Sequence, residues 1–287
     1  MRNKKGYLAV VTMVLMLITS ITGILSLNFN YGHDFINQYG HTVKIYGYGI
    51  YAFDSYFQAP ISIGTDICIL LIVVPMFLFS YINYAKKKDM ISELKLISIY
   101  AVACYYGGSI AFGITYNQLF LVYVALFSCS LFGMFMHIKN LPLKQSITVT
   151  RGMKIFLVLS GIALIVAWLP DVIPAMIKGS TLSLIGVYTT NVTYVIDMGI
   201  ISVLCFVTLY LLIKKEPLGT LILACILKLC IVVGVMMVPQ AICQILSGVI
   251  LPLPAFITKS FSFALLGGFA LYYNFKMYSE LEYEEEL

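Results

Sequence analysis

Ionisable side chains interrupt several of the long apolar runs of this sequence. Asp66 and Asp197 lie inside two of these runs, Lys228 lies near the middle of a third, and Lys259 lies near the start of the last. A charged group at membrane depth costs several kcal/mol unless it is paired or hydrated, so such residues are functional candidates. Acids and an amine that share one cavity would bind a zwitterionic solute or couple its movement to protons.

Lys228 is the most informative of these residues because its sequence neighbours are apolar. A lysine near the middle of a bilayer cannot reach either interface, so we expect it to face the interior of a helix bundle. Asp66 and Asp197 are its candidate partners, and a buried ion pair that only fixes helix packing is the alternative to a site. Asp66 also follows Gly64 and Thr65, where an acid at a helix start would be favoured by the helix dipole. Lys259 is close enough to an interface to anchor there.

Tyrosines accompany the buried charges. Tyr105 and Tyr106 lie deep in an apolar run, so at least one of them faces the bundle interior, either as the wall of a site or as packed core. The segment 28–60 is rich in aromatic residues and glycine, and loops of this length are uncommon unless they are functional. We expect this segment to form a lid over the mouth of the site, with an interfacial cap as the alternative. The candidate ligand contacts in the lid are Tyr46, Tyr48, Tyr51 and Asp54.

The elements that would position these groups are membrane-spanning helices. The chain has 287 residues, of which 61% are hydrophobic and 11% are charged. Soluble domains carry about 25% charged residues, so this composition excludes a soluble enzyme, and it is too apolar for a disordered chain. A span needs about 20 apolar residues. We predict an all-α integral membrane protein, a single domain of about eight spans near residues 7–27, 61–84, 96–115, 117–137, 154–173, 192–213, 217–238 and 255–275.

The basic residues predict the orientation of these spans. Most of the 18 lysines and arginines fall at one face if the N-terminus is inside, whereas Lys44 and Lys178 lie in outer loops. The positive-inside rule then places both termini in the cytoplasm, together with a short acidic tail at 277–287. The net charge of +5 is explained by this topology and gives no indication of a nucleic-acid partner.

The eight spans also divide into two similar halves of four. The second span ends in Lys86-Lys87-Lys88-Asp89 and the sixth ends in Lys214-Lys215-Glu216. Asp66 and Asp197 occupy the outer parts of the same two spans. Four spans in each half would give a parallel repeat about an axis along the membrane normal, an arrangement found in transporters. Chance similarity between apolar sequences is the alternative.

Cysteine and histidine patterns indicate no metal or cofactor site. The seven cysteines form no CxxC pair and are interpreted as small apolar packing residues. The three histidines are not at ligand spacing with a cysteine or an acid. We therefore predict no metal ion and no cofactor.

Part of the sequence resembles a known group of proteins. The runs that carry the resemblance are Tyr46-Gly47-Tyr48-Gly49-Ile50-Tyr51, Asp54-Ser55, Gly64-Thr65-Asp66 and the segment 116–127. They are similar to a widespread family of bacterial polytopic membrane proteins, usually labelled hypothetical. The resemblance implies a bacterial inner membrane and an eight-helix bundle, and it supplies no catalytic residues.

Three functions are compatible with these features. A transporter or permease-like protein for a small solute is the leading prediction, with Asp66, Asp197, Lys228, Tyr105 and Tyr106 around its cavity. A membrane-embedded enzyme acting on a lipid or lipid-linked substrate at the outer leaflet is the alternative, although the sequence shows no nucleophile–base pair. A receptor or an accessory subunit of a membrane complex is a further alternative. The bilayer is the predicted partner, and an oligomer or a partner subunit stays open.

Overall fold

The computed structural model describes residues 2–28, 32–139, 141–143, 146–249 and 253–286, without the side chains of 2–5, 253–260 and 284–286. Lys259, which the sequence singled out, is therefore outside the described side chains. The chain is 75% helical with almost no sheet. Its helices are α1 (Arg2–Leu25), α2 (Gln58–Cys68), α3 (Val74–Lys87), α4 (Met90–Gly113), α5 (Phe120–Ile138), α6 (Arg151–Val166), α7 (Leu169–Lys178), α8 (Val192–Ile196), α9 (Ser202–Ile213), α10 (Pro217–Leu246) and α11 (Leu253–Glu286).

Seven helical stretches of the described chain are long and apolar enough to cross a membrane, and they follow the first seven predicted spans in order. Three of the seven are built from two α-helices each, namely α2 with α3, α6 with α7, and α8 with α9. Helix α11 has 34 residues and covers the last predicted span. The prediction of an all-α membrane bundle is confirmed at this level.

Two of the long helices contain a π-helical segment near an acid. Ile69–Val73 joins α2 to α3, and Asp197–Ile201 joins α8 to α9. The first segment ends two residues before Pro75. Proline has no N–H to donate to the carbonyl four residues back, and its ring crowds that carbonyl. A π-helical turn accommodates such a defect, and π-bulges are frequent at functional sites.

Both ends of the chain lie at one face of the bundle. The ring of Tyr81, near the end of α3, lies beside Gly6 of α1. Glu282 of α11 pairs with Lys95 of α4 at an Nζ–Oε1 distance of 3.2 Å. We call this face the termini side and the opposite face the lid side. Lys86 and Lys87 in the last turn of α3, and Lys88 directly after it, lie at the termini side, as the charge distribution predicted.

The predicted lid is a folded structure. Strands β1 (His33–Ile36) and β2 (Thr42–Ile45) form an antiparallel hairpin. Asn37 closes its turn, because its Oδ1 accepts hydrogen bonds from the backbone N–H groups of Tyr39 and His41. A short 3-10 helix, Gly49–Tyr51, follows, and α2 begins at Gln58, slightly earlier than predicted.

Helices α2 and α10 approach each other closely at Gly64. A Cβ atom at this position would collide with the backbone of Pro239 and Gln240. One residue further along α2, Thr65 Oγ1 accepts a hydrogen bond of 2.8 Å from Gln240 Nε2. Small residues allow such backbone approach between membrane helices.

We predict that Gly64→Ala destabilises the protein by about 1–3 kcal/mol, because a helix backbone cannot yield as a flexible side chain can. Thermal unfolding of the purified protein in detergent measures this loss. Gly268→Ala is the control, since a Cβ at Gly268 meets no described atom within 4 Å. Equal Tm values for the two variants would contradict the close contact.

Candidate functional site

Asp66 is fully buried on α2 and is enclosed by hydrogen-bond donors. The hydroxyl of Tyr51, from the lid, donates to Oδ2 at 2.6 Å, and the hydroxyl of Tyr106, from α4, donates to Oδ1 at 2.6 Å. Gly23 of α1 covers the carboxylate so closely that a Cβ there would collide with Oδ2. Asp66 therefore connects α1, α2, α4 and the lid. The groups packed around its carboxylate oxygens leave no room for a ligand there.

Asp197 lies at the start of the second π-helical segment and is 5% exposed. The hydroxyl of Tyr105 donates to Oδ1 at 3.1 Å, and the indole N–H of Trp168 donates to Oδ2 at 3.1 Å. Successive helical residues point about 100° apart. The neighbours Tyr105 and Tyr106 therefore reach carboxylates on two different helices.

A cavity of about 280 Å³ occupies the lid side of the bundle between α2, α4, α8 and α10. Tyr105, Tyr106 and Asp197 line it, as the sequence predicted, whereas Asp66 lies behind Tyr106 and does not. Leu184 and Thr190 are exposed at its rim. The structure thus brings one of the two predicted acids and both predicted tyrosines to a single space.

Sequence reasoning missed an aromatic wall of this cavity. The rings of Trp168 and Tyr194 stack 4.3 Å apart at an angle of 23°, and both residues line the cavity. The hydroxyl of Tyr194 donates to Asp171 Oδ2 at 2.8 Å. The available signals were the single tryptophan of the chain and the prolines at 170 and 174 that flank Asp171.

A smaller void of about 30 Å³ lies beyond Asp197, further into the bundle. Ser160 and Cys230 line it together with Tyr105 and Asp197. The buried Oγ of Ser160 has no hydrogen-bond partner within the described residues. A space of this size accommodates about one or two water molecules, so Asp197 lies between the cavity and a small, mostly apolar void behind it.

Lys228 does not lie near Asp66 or Asp197. It does not line the cavity, and no described carboxylate lies within ion-pair distance of it. Lys95, in the part of α4 toward the termini side, is close enough to repel it. The Cβ of a helical residue tilts toward the helix N-terminus, which for α10 is the termini side. The predicted pairing of Lys228 with Asp66 or Asp197 is therefore not found.

Asp54 attaches the lid to two other segments. Its Oδ1 accepts hydrogen bonds from the Thr115 N–H at 2.9 Å and the Tyr188 hydroxyl at 2.7 Å, and its Oδ2 accepts one from Thr115 Oγ1 at 2.9 Å. Burial raises the pKa of Asp54 to about 6, and these donors offset part of that rise. Burial beside Asp54 also raises the pKa of Tyr188.

The remaining predicted lid residues contact protein. Tyr46 is buried, and its hydroxyl donates to the Ser26 carbonyl at 3.0 Å and accepts from the Asn28 N–H at 2.7 Å. Tyr51 bonds Asp66, as above. Tyr48 is 38% exposed. None of the four predicted lid contacts lines the cavity, so the lid has the geometry of a cap packed on the bundle.

Sequence reasoning also missed a buried pair of a histidine and a glutamate on the termini side. His137 Nδ1 lies 2.8 Å from Glu93 Oε1, and both side chains are almost inaccessible. The ring of Tyr84 packs edge-on against the His137 ring at 5.0 Å. The described residues contain no group of three or more His, Cys, Asp or Glu placed to hold a metal ion.

Comparison of the chain with models of protein families, with curated proteins and with solved structures finds no match. The resemblance to a family of bacterial polytopic proteins therefore stays a prediction. The function has to be argued from the geometry of the cavity.

We predict that ionisation of Asp54 weakens the folded state. Because its folded pKa of about 6 lies above the ordinary aspartate pKa of 3.8, the folded protein holds this proton more tightly than the unfolded chain. Stability should fall as the pH rises from about 4 to about 6, by on the order of 3 kcal/mol at about 1.4 kcal/mol per pKa unit.

Asp54→Asn isolates this effect, because the amide keeps the shape of the carboxylate and cannot ionise. As the pH rises from about 4 to about 6, the Tm of the natural protein should fall relative to the Tm of Asp54→Asn. Above about pH 6 the difference between the two Tm values should stay constant. A difference that is constant with pH would contradict the buried position of Asp54.

Proposed function

We propose that this protein is a multi-pass membrane transporter or permease that takes a small solute into its lid-side cavity. The observation that carries this proposal is the cavity at Asp197, a space inside the bundle where aromatic and polar groups converge on a buried carboxylate. Ligand sites are mostly apolar clefts with a few placed polar groups. Transporter sites lie inside the membrane at broken helices.

The depth of Asp197 supports this interpretation. It is five residues from Val192, where its helix begins, which corresponds to about 8 Å along the axis. The floor of the cavity therefore lies well below the helix ends, and the π-helical segment interrupts the α-helix at the floor itself. This is the kind of irregular backbone that membrane proteins tolerate where it borders a cavity.

The access to the cavity is one-sided. Its rim is exposed on the lid side, whereas a packed apolar cluster that includes Leu94, Ile97 and Leu227 fills the termini-side half. A transporter would have to open this second half in another conformation. The π-helical segments Ile69–Val73 and Asp197–Ile201 are the places where we expect the helices to bend, because their hydrogen bonding is less regular than that of the α-helices around them.

We further propose eight spans, with α11 as the last, arranged as two related halves. In the described chain the non-glycine residues with positive φ are Lys88 and Lys215. Each lies in the termini-side turn of its half and precedes an acidic residue, Asp89 or Glu216, at the start of the next helix. The basic residues support a cytoplasmic termini side. The resemblance noted in the sequence would make this membrane a bacterial inner membrane.

Uptake into proteoliposomes tests the transport proposal. The probes are radiolabelled choline, alanine and glucose, which represent a cation, a zwitterion and a neutral solute. We predict that at least one of them enters faster than in protein-free liposomes, and that Asp197→Asn slows this uptake about tenfold or more, as expected for the loss of a charged hydrogen-bonding group.

Glu282→Gln is the matched control, because it removes a carboxylate from the exposed Lys95 pair at the termini side. Its uptake should equal that of the natural protein. Rates equal to protein-free liposomes for all three probes, or equal losses in both variants, would contradict the proposal.

A further inference from the structure

We propose, on the basis of the transport function proposed above, that the ligand of the lid-side cavity is a small organic cation carrying an amine or a quaternary ammonium group. Asp197 would be its counter-ion and the aromatic side chains around it would form its walls. Three independent features of the cavity carry this inference: its charge, its aromatic lining and its size.

The described part of the cavity lining is negatively charged. Its described lining contains the acids Asp171 and Asp197 and no lysine, arginine or histidine. Lys228, which would have made the site suitable for a zwitterion, lies outside this lining. An anionic group brought to this cavity would be repelled by the carboxylates, more strongly than in bulk water because low-dielectric protein surrounds much of the site.

Asp197 retains the capacity to bind an ammonium group. Each of its oxygens accepts one described hydrogen bond, from Tyr105 or from Trp168. A carboxylate offers about four lone-pair positions, so these donors orient the group without saturating it. Its 5% exposure is toward a cavity that it lines.

The aromatic lining suits a cation better than a neutral solute. Trp168 and Tyr194 present a stacked pair of rings beside Asp197, and Tyr105 and Tyr106 add two more on the opposite helix. Indole is the best cation–π partner among side chains, and groups of aromatic residues are the usual recognition device for quaternary ammonium ligands. The cavity volume of about 280 Å³ lies just below the usual range of about 300–1,000 Å³ for ligand sites, so the ligand is small.

The chain contains its own reporter of binding. Trp168 is the only tryptophan in the sequence, it lines the cavity, and its indole N–H bonds Asp197. The intrinsic tryptophan fluorescence of the purified full-length protein therefore reports on this site alone.

The experiment titrates the protein in detergent with choline and with 3,3-dimethyl-1-butanol, the neutral molecule in which carbon replaces the nitrogen. We expect choline to change the Trp168 fluorescence saturably, with a Kd at least tenfold below that of the alcohol. Asp197→Asn should remove this preference, and Glu282→Gln should keep it. Equal affinities for the two probes, or no saturable change with choline, would overturn the proposal.

The comparison of the two probes on the natural protein does not depend on any variant, so it decides the matter even if Asp197→Asn fails to fold. It is also separate from the test of transport. Choline binding without uptake of any probe into proteoliposomes would contradict transport and leave the cation site in place. Uptake of alanine or glucose without choline binding would overturn the cation site and leave transport in place.

Discussion

Two adjacent tyrosines on α4 connect the bundle through buried carboxylates, and the rest of the lid-side structure depends on this arrangement. Tyr106 donates to Asp66 on α2, and Tyr105 donates to Asp197 between α8 and α9. Burying a carboxylate without hydrogen-bond donors would destabilise the folded state strongly. Each hydrogen bond to a charged group contributes about 1.5–3 kcal/mol to stability. These two contacts therefore help to fix the positions of the α2–α3 and α8–α9 helices relative to α4, together with the apolar packing between them.

The two carboxylates nevertheless have different surroundings. Asp66 is enclosed and connects helices, whereas Asp197 borders the cavity proposed as the ligand site. Asp66 is closed in by Tyr51 from the lid and by Gly23 from α1. Asp197 has the cavity on one side and a small, mostly apolar void on the other. The lid contributes to this division because it buries its own acid, Asp54, and packs on the bundle, and it borders the cavity at its end, through Phe57 and Gln58.

The sequence was sufficient for features that depend on composition and length. Continuous apolar runs located the spans, and the apolar surroundings of Asp66, Asp197, Tyr105 and Tyr106 showed that these residues are internal. Which internal groups meet depends on the rotation and tilt of each helix, which an apolar sequence does not encode locally. For that reason the sequence could not decide whether Lys228 meets either acid. Contacts between distant segments, such as Trp168 with Asp197 or Glu93 with His137, were not foreseen.

The central claim is that a negatively charged cavity accessible from the lid side ends at Asp197. The most direct measurement is the reactivity of a cysteine at Ser109, which lines the cavity on α4 one turn from Tyr105. Cationic and anionic methanethiosulfonate reagents of similar size would be applied to Ser109→Cys, with the natural chain as background and rates normalised to a free thiol. The account predicts faster reaction with the cationic reagent. No reaction above background, or an equal or faster reaction with the anionic reagent, would contradict it.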